Sequence, residues 1–573
     1  ACNLFSRFGD RSVVSPSSVD LRTTYYIMLA EALLPSQHQP LEGRRRWLHA
    51  AKRELLTVAT AAFISVLSLC NAASFGLLIL PASSGLDPAA GVPIFLMSTI
   101  ASQVALSATS GVSFASGGAT IEVVPLVAPI SALAGSCGTQ QEKASTLLAM
   151  LACTSLLIGC FYLAMSQLRL GSVFRCIPLI VLKSALTGVG VFIVIESAKM
   201  GVGVQEHGEG GEGGGGEGGG GGGGGGEDMD DDAQQPLWYQ LVGPDGWPRL
   251  LATGALYVGL ALVQTNVKSP LATLGYLGSA VLVVLALRAA GLLVLGHKWY
   301  FGAAPDTDGA SPPVDARHGG MHGGGAEEDA ASASPPSVFG LLPLFSLAAV
   351  SLPTLLSALP HMVSCAFVHA LVTVTDLVSL EGVASDASGA SGDGDGDGNN
   401  GAGAATFSLD REMGSIGLAN LLAGCCGAMP NYLMLTPSVV ALRFTGGGGG
   451  GGNRGGGGLL RVSAVAALLT AALLPAIDAV VSAVPRPVVA AFALDMGVGF
   501  VAGTGVETWR RTADPFDKLL LLLVPSLMLG LGFLPGLGAG LVLALLHFII
   551  IYSYAAHACR TCMPPWTAPH ACS

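Results

Sequence analysis

Apolar runs of about 20 residues, long enough to cross the hydrocarbon core of a bilayer as helices, recur along the chain with short polar or charged stretches between them. They predict membrane spans at 55–80, 91–111, 112–134, 145–167, 174–198, 247–265, 271–296, 353–380, 411–426, 427–444, 459–477, 485–504, 517–533 and 535–554. The third and tenth of these are broken. The third opens on Gly111-Val112-Ser113-Phe114-Ala115-Ser116-Gly117-Gly118 and only then turns helix-like; the tenth opens on Gly427-Ala428-Met429-Pro430-Asn431-Tyr432. Extended backbone at membrane depth is tolerated only where protein buries it or where it lines a cavity. Each broken span is therefore expected to be an extended segment leading into a half-helix. Such helix starts expose free N–H groups and a partial positive charge. Two of them meeting near the midplane would hold an anion without an arginine or lysine.

Order along the chain adds a second pattern. Pro178 is followed ten residues on by Gly188-Val189-Gly190, and Pro487 ten residues on by Gly497-Val498-Gly499. These are the fifth and twelfth spans, and the broken spans are the third and tenth, so both pairs lie seven spans apart. Seven is odd, so the two copies face opposite ways across the membrane, as in transporters built from inverted repeats. The fold expected is an all-α polytopic membrane protein of fourteen spans in two inverted seven-span repeats.

Composition agrees. Of 573 residues, 51% are hydrophobic and only 11% charged, less than half the charge of a typical soluble domain. Polar low-complexity tracts at 201–235, 302–337, 382–405 and 446–458 fall between spans and carry many of the acids. Gly-rich tracts of this kind cannot bury apolar surface, and no function is assigned to them. The expected organisation is an N-terminal cytosolic segment (1–54), a first membrane repeat (55–300), a low-complexity loop and lead-in (301–352), a second repeat (353–556) and a short tail (557–573). Cations set the orientation. With the N-terminus inside, the cytosolic side receives Arg44, Arg45, Arg46, Lys52, Arg53, Arg169, Arg175, Lys268, Arg411, Arg443, Arg454, Arg461, Arg510, Arg511, Lys518 and Arg560. The opposite side keeps Lys143, Lys199, Arg249, Lys298 and Arg486, in line with the excess of positive charge on cytoplasmic loops. No basic domain supports nucleic-acid binding. P-loop, GxSxG and HExxH patterns are absent, so no enzyme activity is expected. Most of the 12 cysteines are scattered through apolar spans; neither a disulfide framework nor a metal site is expected, and no cofactor.

Ionisable groups inside the spans are the natural candidates for chemistry. Asp376, in Thr373-Val374-Thr375-Asp376-Leu377 of span eight, is costly at mid-membrane by roughly 2.5–3.5 kcal/mol on insertion scales. It faces a cavity and carries a proton, or it is a structural acid bonded to Ser and Thr. Glu122, at the start of the first half-helix, carries a proton, meets a cationic substrate, or bonds a facing helix. Asn71 and Phe75 lie one helical turn apart on a shared face. Thr436 and Ser438, near the start of the second half-helix, contact substrate or cap the helix. Lys183, Glu196 and Asp495 read as structural or interfacial. His361 and His369 lack a third metal ligand.

Several stretches resemble the SulP family of sulfate-permease-type transporters: Asn71-Ala72-Ala73-Ser74-Phe75 in span one, Ser116-Gly117-Gly118-Ala119 in span three, Leu168-Arg169-Leu170-Gly171 after span four, and Asp410-Arg411-Glu412-Met413 through Gly424 at span nine. Phe548-Ile549-Ile550-Ile551-Tyr552-Ser553 is similar to the family's last span. Within the family, Ile121-Glu122-Val123-Val124-Pro125 and Met429-Pro430-Asn431-Tyr432-Leu433 look most like a branch found in fungal vacuolar membranes. The resemblance implies a core bundle carrying the substrate site and a gate bundle beside it. It also implies transport of sulfate, bicarbonate, chloride or oxalate by exchange or with protons or sodium, and assembly as a homodimer. It points to Asn71, Phe75, Ser116, Gly117, Gly118, Ala119, Asp376, Tyr432, Thr436 and Ser438 as substrate-binding residues, with Asp376 and Glu122 as proton carriers. Two departures stand out. Family members usually continue into a STAS domain, whereas 19 residues follow Tyr554 here, so that domain is expected to be lost or cut away. The family's arginine near the start of span ten is replaced by Pro437. The function expected is secondary transport of a small inorganic or organic anion, sulfate-like, by alternating access. The alternatives are transport of a cationic or zwitterionic amino acid on the same fold, an uncoupled anion channel, or a non-transporting scaffold. The setting is a vacuolar or other intracellular membrane, or the plasma membrane.

Overall fold

A computed structural model describes residues 41–112, 114–170, 179–203, 237–244, 246–267, 271–290, 299–300, 341–389, 408–445 and 461–562. Pro178, most of the low-complexity tracts and the tail beyond 562 lie outside the described residues. One principal helix falls on each expected span: α1 (Leu41–Asn71), α2 (Gly91–Thr109), α3 (Val124–Leu133), α4 (Gln140–Gln167), α5 (Leu179–Val202), α6 (Trp247–Asn266), α7 (Leu271–Ala289), α8 (Leu359–Gly389), α9 (Leu409–Cys425), α10 (Leu435–Thr445), α11 (Val462–Leu473), α12 (Arg486–Phe500), α13 (Pro515–Leu531) and α14 (Phe533–Cys562). Seven helical stretches are long and apolar enough to cross a membrane by themselves among the described residues. The chain is an all-α polytopic membrane protein, and the fourteen-span inverted repeat fits its fold.

Element ends follow local chemistry. Thr139 caps α4 by accepting from the Glu142 N–H, and Asp514 caps α13 by accepting from the Phe516 N–H; both supply an acceptor to a helix start that has none within the helix. The segment predicted as polar insert from residue 382 instead continues α8 to Gly389. Its Ala and Ser residues are compatible with helix, and the preceding turns already supply the nucleus.

The helices sort into two bundles. In one, α4 packs on α9 and α8, α2 on α9 and α11, α1 on α10 and α11, and α8 on α3 and α10. In the other, α5 packs on α12 and α13, α6 on α12, α5 and α7, and α13 on α14. The α5–α12 contact is made by the repeated glycines. A Cβ on Gly190 would lie 2.9 Å from the Gly497 carbonyl oxygen, and one on Gly497 would lie 3.0 Å from the Gly190 carbonyl oxygen. Small residues let the two backbones meet, and the reciprocity of the contact is what an inverted repeat produces. Gly159 and Gly417 make an equivalent approach between α4 and α9.

Between the bundles α1 loses its regular hydrogen bonding. Ala72–Gly76 forms a π-helical turn, a distortion found mostly at functional sites. Its Ser74 Oγ donates to the Val489 carbonyl of α12 across the bundle boundary at 3.2 Å.

Candidate functional site

The two broken spans meet. β1 (Gly117–Ala119) and β2 (Asn431–Leu433) form an antiparallel pair in the register Gly117↔Leu433, Gly118↔Tyr432 and Ala119↔Asn431. All six residues are buried. Two further bonds extend the pairing, Thr120 N–H to the Pro430 carbonyl at 3.1 Å and Met434 N–H to the Ser116 carbonyl at 2.9 Å. A three-residue strand of Gly-Gly-Ala has little intrinsic β preference. Buried backbone groups need partners, and each broken segment supplies them to the other.

Glycine is required in β1 by close approach. A Cβ on Gly117 would overlap the Ser102 hydroxyl of α2, and one on Gly118 would overlap the Met434 sulfur. The far side of each strand is held by hydroxyls from α2. Ser98 Oγ donates to the Met429 carbonyl at 2.6 Å, Ser102 Oγ to the Tyr432 carbonyl at 3.3 Å, and the Ala119 N–H donates to Thr99 Oγ1 at 3.3 Å.

A polar network fixes β2 from behind. Asn420 of α9 donates to the Asn431 carbonyl at 2.7 Å and accepts from the Asn431 N–H at 3.0 Å. The Asn431 amide donates to the Ala419 carbonyl at 3.1 Å. His369 of α8 places Nε2 2.9 Å from the same Asn431 carbonyl, and its Nδ1 lies 3.1 Å from the Tyr162 hydroxyl of α4 and 3.3 Å from Thr373 Oγ1. Asn420, Asn431, His369 and Tyr162 were not among the expected site residues. Their signal in the sequence is the presence of hydrogen-bonding side chains inside apolar helices, where an unpaired polar group is costly.

Helices leave from both strands. The first half-helix begins at Ile121–Val123 and runs on as α3; the second is α10, beginning at Leu435. Glu122, buried to 5% exposure, turns its carboxylate back over its own helix start. Its Oε1 accepts from the Tyr432 hydroxyl at 3.2 Å. Asp376 is half-buried on α8, the helix that packs on both α3 and α10. The structure thus brings together Glu122, Asp376 and Tyr432, from the two halves of the chain, at the two half-helix starts.

The remaining expected residues divide. Ser438 is buried and its hydroxyl is engaged inside the protein, accepting from the Ser116 N–H at 2.9 Å and donating to the Met434 carbonyl at 2.7 Å. Thr436 is half-buried one residue into α10. Asn71 and Phe75 are buried at the π turn of α1. Among the buried side-chain oxygens that take no hydrogen bond from the protein, four belong to α1's π turn and the entry to the first half-helix: Asn71 Oδ1, Ser116 Oγ, Thr120 Oγ1 and Glu122 Oε2. Three of the four belong to the segment that enters the first half-helix.

The Arg411-Glu412 pair has a mechanical place. Glu412 accepts from the Ser110 hydroxyl at 2.6 Å and from the Gly111 N–H at 2.8 Å, so the start of α9 anchors the chain as it leaves α2 toward β1. Arg461, at the start of α11, donates to the Ser107 carbonyl at 2.7 Å.

No protein-family model matches the sequence, and no curated protein matches it. Solved structures do. The chain is similar to the transmembrane domain of a bicarbonate transporter, BicA, from a cyanobacterium, with a TM-score of 0.50 and 13% identity over 86% of this chain and 97% of that one. It is also similar to SLC26A9, with a TM-score of 0.51 and 14% identity over 94% of this chain and 73% of that one. At such identities the likeness is one of fold: this chain has the membrane fold of those two transporters.

Proposed function

We propose that this protein is a secondary transporter of a small anion, belonging with the SulP-type transporters and using the two half-helix starts as its substrate site. One observation carries the reading. The β1–β2 pair joins two oppositely oriented half-helices within one bundle, and that bundle packs against a second across the π turn of α1. Half-helix N-termini with free N–H groups are a recurrent anion-binding device in membrane transporters, and both structural neighbours named above share the fold. Alternating access would move the bundle of α1–α4 and α8–α11 against that of α5–α7 and α12–α14. The substrate proposed is sulfate-like, Glu122 and Asp376 are the proposed proton carriers, and a vacuolar or other intracellular membrane is the proposed setting.

A second reading has its own observation. Glu122 and Asp376 are acids, and neither has a lysine or arginine acting on it among the described residues. That is a site able to accept the ammonium of a cationic or zwitterionic amino acid. Uptake of labelled sulfate and labelled arginine into proteoliposomes, side by side under an imposed pH gradient, separates the two. Saturable sulfate uptake unaffected by excess arginine is the expected result. Arginine uptake insensitive to sulfate would establish the second reading instead, and silence on both would remove both.

A further inference from the structure

The far end of the α13–α14 hairpin gathers three metal-ligating side chains. The two helices are joined at Gly532, whose φ of 97° turns the chain between Leu531 and Phe533. At the opposite end, Asp514 and Asp517 sit three residues apart at the start of α13 and so share a face, and His547 comes to them from α14. One ligand atom from each lies within 4.8 Å of the other two. All three residues are half-buried. Spacing along the sequence does not reveal the group, because its third member lies on the next helix.

Two of the three are oriented from behind. Asp514 Oδ1 accepts from the Phe516 N–H at 2.9 Å, which fixes the carboxylate and leaves Oδ2 to face the imidazole. The His547 ring stacks on the Phe516 ring, with centroids 3.9 Å apart and planes 20° from parallel, and its Nε2 lies 3.9 Å from Asp514 Oδ2. That separation is too long for a hydrogen bond. It suits two ligands of one ion, since zinc bonds of about 2.0–2.2 Å hold ligand atoms about 3.4 Å apart in a tetrahedron and at most about 4.3 Å apart. Small rotations of the half-buried side-chain ends close the triad. Two nearby cations are turned elsewhere: Arg511 pairs with Glu507, and Lys518 Nζ lies over the Trp509 ring, 5.5 Å from its centroid. Two carboxylates also outweigh the partial positive charge of the α13 start, so this helix end draws a cation.

We infer that Asp514, Asp517 and His547 bind a divalent transition metal of the zinc class, which staples the open end of the α13–α14 hairpin. One imidazole nitrogen and two carboxylate oxygens suit such an ion better than calcium, which takes about six to eight oxygens, or magnesium, which demands near-octahedral oxygen. With His547 neutral, the two carboxylates balance the charge of the ion. Water completes the coordination, as it does at zinc sites with three protein ligands. Helix α13 packs on α5 as well as on α14, so the ion ties α14 to the bundle that lacks the strand pair. The inference is independent of which solute is carried.

The test is zinc binding to the purified full-length chain in detergent, followed by calorimetry and by the thermal midpoint. Cys559 and Cys562 are replaced by serine so that their thiolates do not take the ion. One equivalent of zinc is expected to bind and to raise the midpoint, with no rise from magnesium at the same concentration. His547→Gln and Asp517→Asn are each expected to weaken binding by at least about tenfold, since even the partners behind metal ligands are worth that much, and to abolish the rise. Asp514→Asn is expected to do the same with the fold kept, because its amide oxygen still caps α13 and only the group facing His547 becomes a non-ligating NH2. Zinc affinity and midpoint rise equal to those of the parent chain in all three variants would overturn the inference, as would a parent chain that binds no zinc. An equal rise from magnesium would overturn the transition-metal assignment.

Discussion

The hydroxyl of Tyr432 donates across the pair of half-helix starts, and it ends on a carboxylate. Hydrogen bonds to charged groups contribute about 1.5–3 kcal/mol, so Tyr432→Phe is expected to raise the KM for the transported solute by about tenfold or more. The concentration dependence of uptake measures this, and an unchanged KM would show that the bond plays no part in substrate binding. Asn420 acts by a different route. It satisfies the backbone of β2 through both ends of its amide, and its loss strands a buried N–H and a buried carbonyl. Asn420→Ala is expected to cost about 1–3 kcal/mol of stability, read as a lowered thermal midpoint in detergent, where Ala at an exposed polar position would have little effect. Part of this scale was legible in the sequence. Asp376 and Glu122 announce themselves as acids in apolar runs, and Gly117-Gly118 as a break. The network around Asn431 was not legible, because its members lie far apart in the chain: Tyr162, His369, Asn420 and Asn431 meet only once α4, α8 and α9 have packed. Ser438 shows the same limit. The sequence marks it as a helix-start hydroxyl open to substrate, while its distant partner, the Ser116 N–H, engages it inside the protein.

At the scale of elements, the half-helices were readable as breaks with polar and glycine residues, whereas the strand pairing between them was not. Gly-Gly-Ala and Asn-Tyr-Leu are too short and too weakly β-forming to predict a sheet; burial of two unpaired backbone segments creates it. Helix α8 exceeded its apolar run because the turns from Gly382 to Gly389 continue an established helix, a gain that hydropathy does not register. The α5–α12 crossing depends on Gly190 and Gly497 meeting at backbone distance. Gly190→Val is expected to destabilise this bundle by about 1–3 kcal/mol through overpacking, visible as a lower thermal midpoint, with substrate KM little changed because the proposed site lies in the other bundle. A stability equal to wild type would contradict the packing described. The π turn Ala72–Gly76 had no signature in hydropathy, since its residues are as apolar as those around it. Its position beside the close approach of Gly76 to Gly91 gives the physical reason for a helix that yields there.

For the whole molecule, the order of elements follows from hydropathy and from the seven-span spacing of two motifs, and the described helices fall on the predicted spans. The division into two bundles was implied by the family resemblance alone; hydropathy does not assign a helix to either, because lipid-facing and protein-facing apolar positions look alike in composition. The low-complexity tracts join spans without interrupting them. Removal of residues 206–234 is expected to change initial uptake by less than about twofold, since the length of a connection between elements adds only a small entropic cost. Loss of uptake on that deletion would give the tract a role that the fold does not assign it.

The central claim is that the transported anion sits between the two half-helix starts. The most direct test is a cryo-electron microscopy map of the protein in lipid nanodiscs at low pH with a strongly scattering dianion, such as tungstate. The account predicts density for the ion beside Ser116, Glu122 and the Leu435 N–H, weakened in the same protein at high pH. Density elsewhere, for instance at the Arg249 and Arg486 side chains near the end of α5, with none at the half-helix starts, would contradict it.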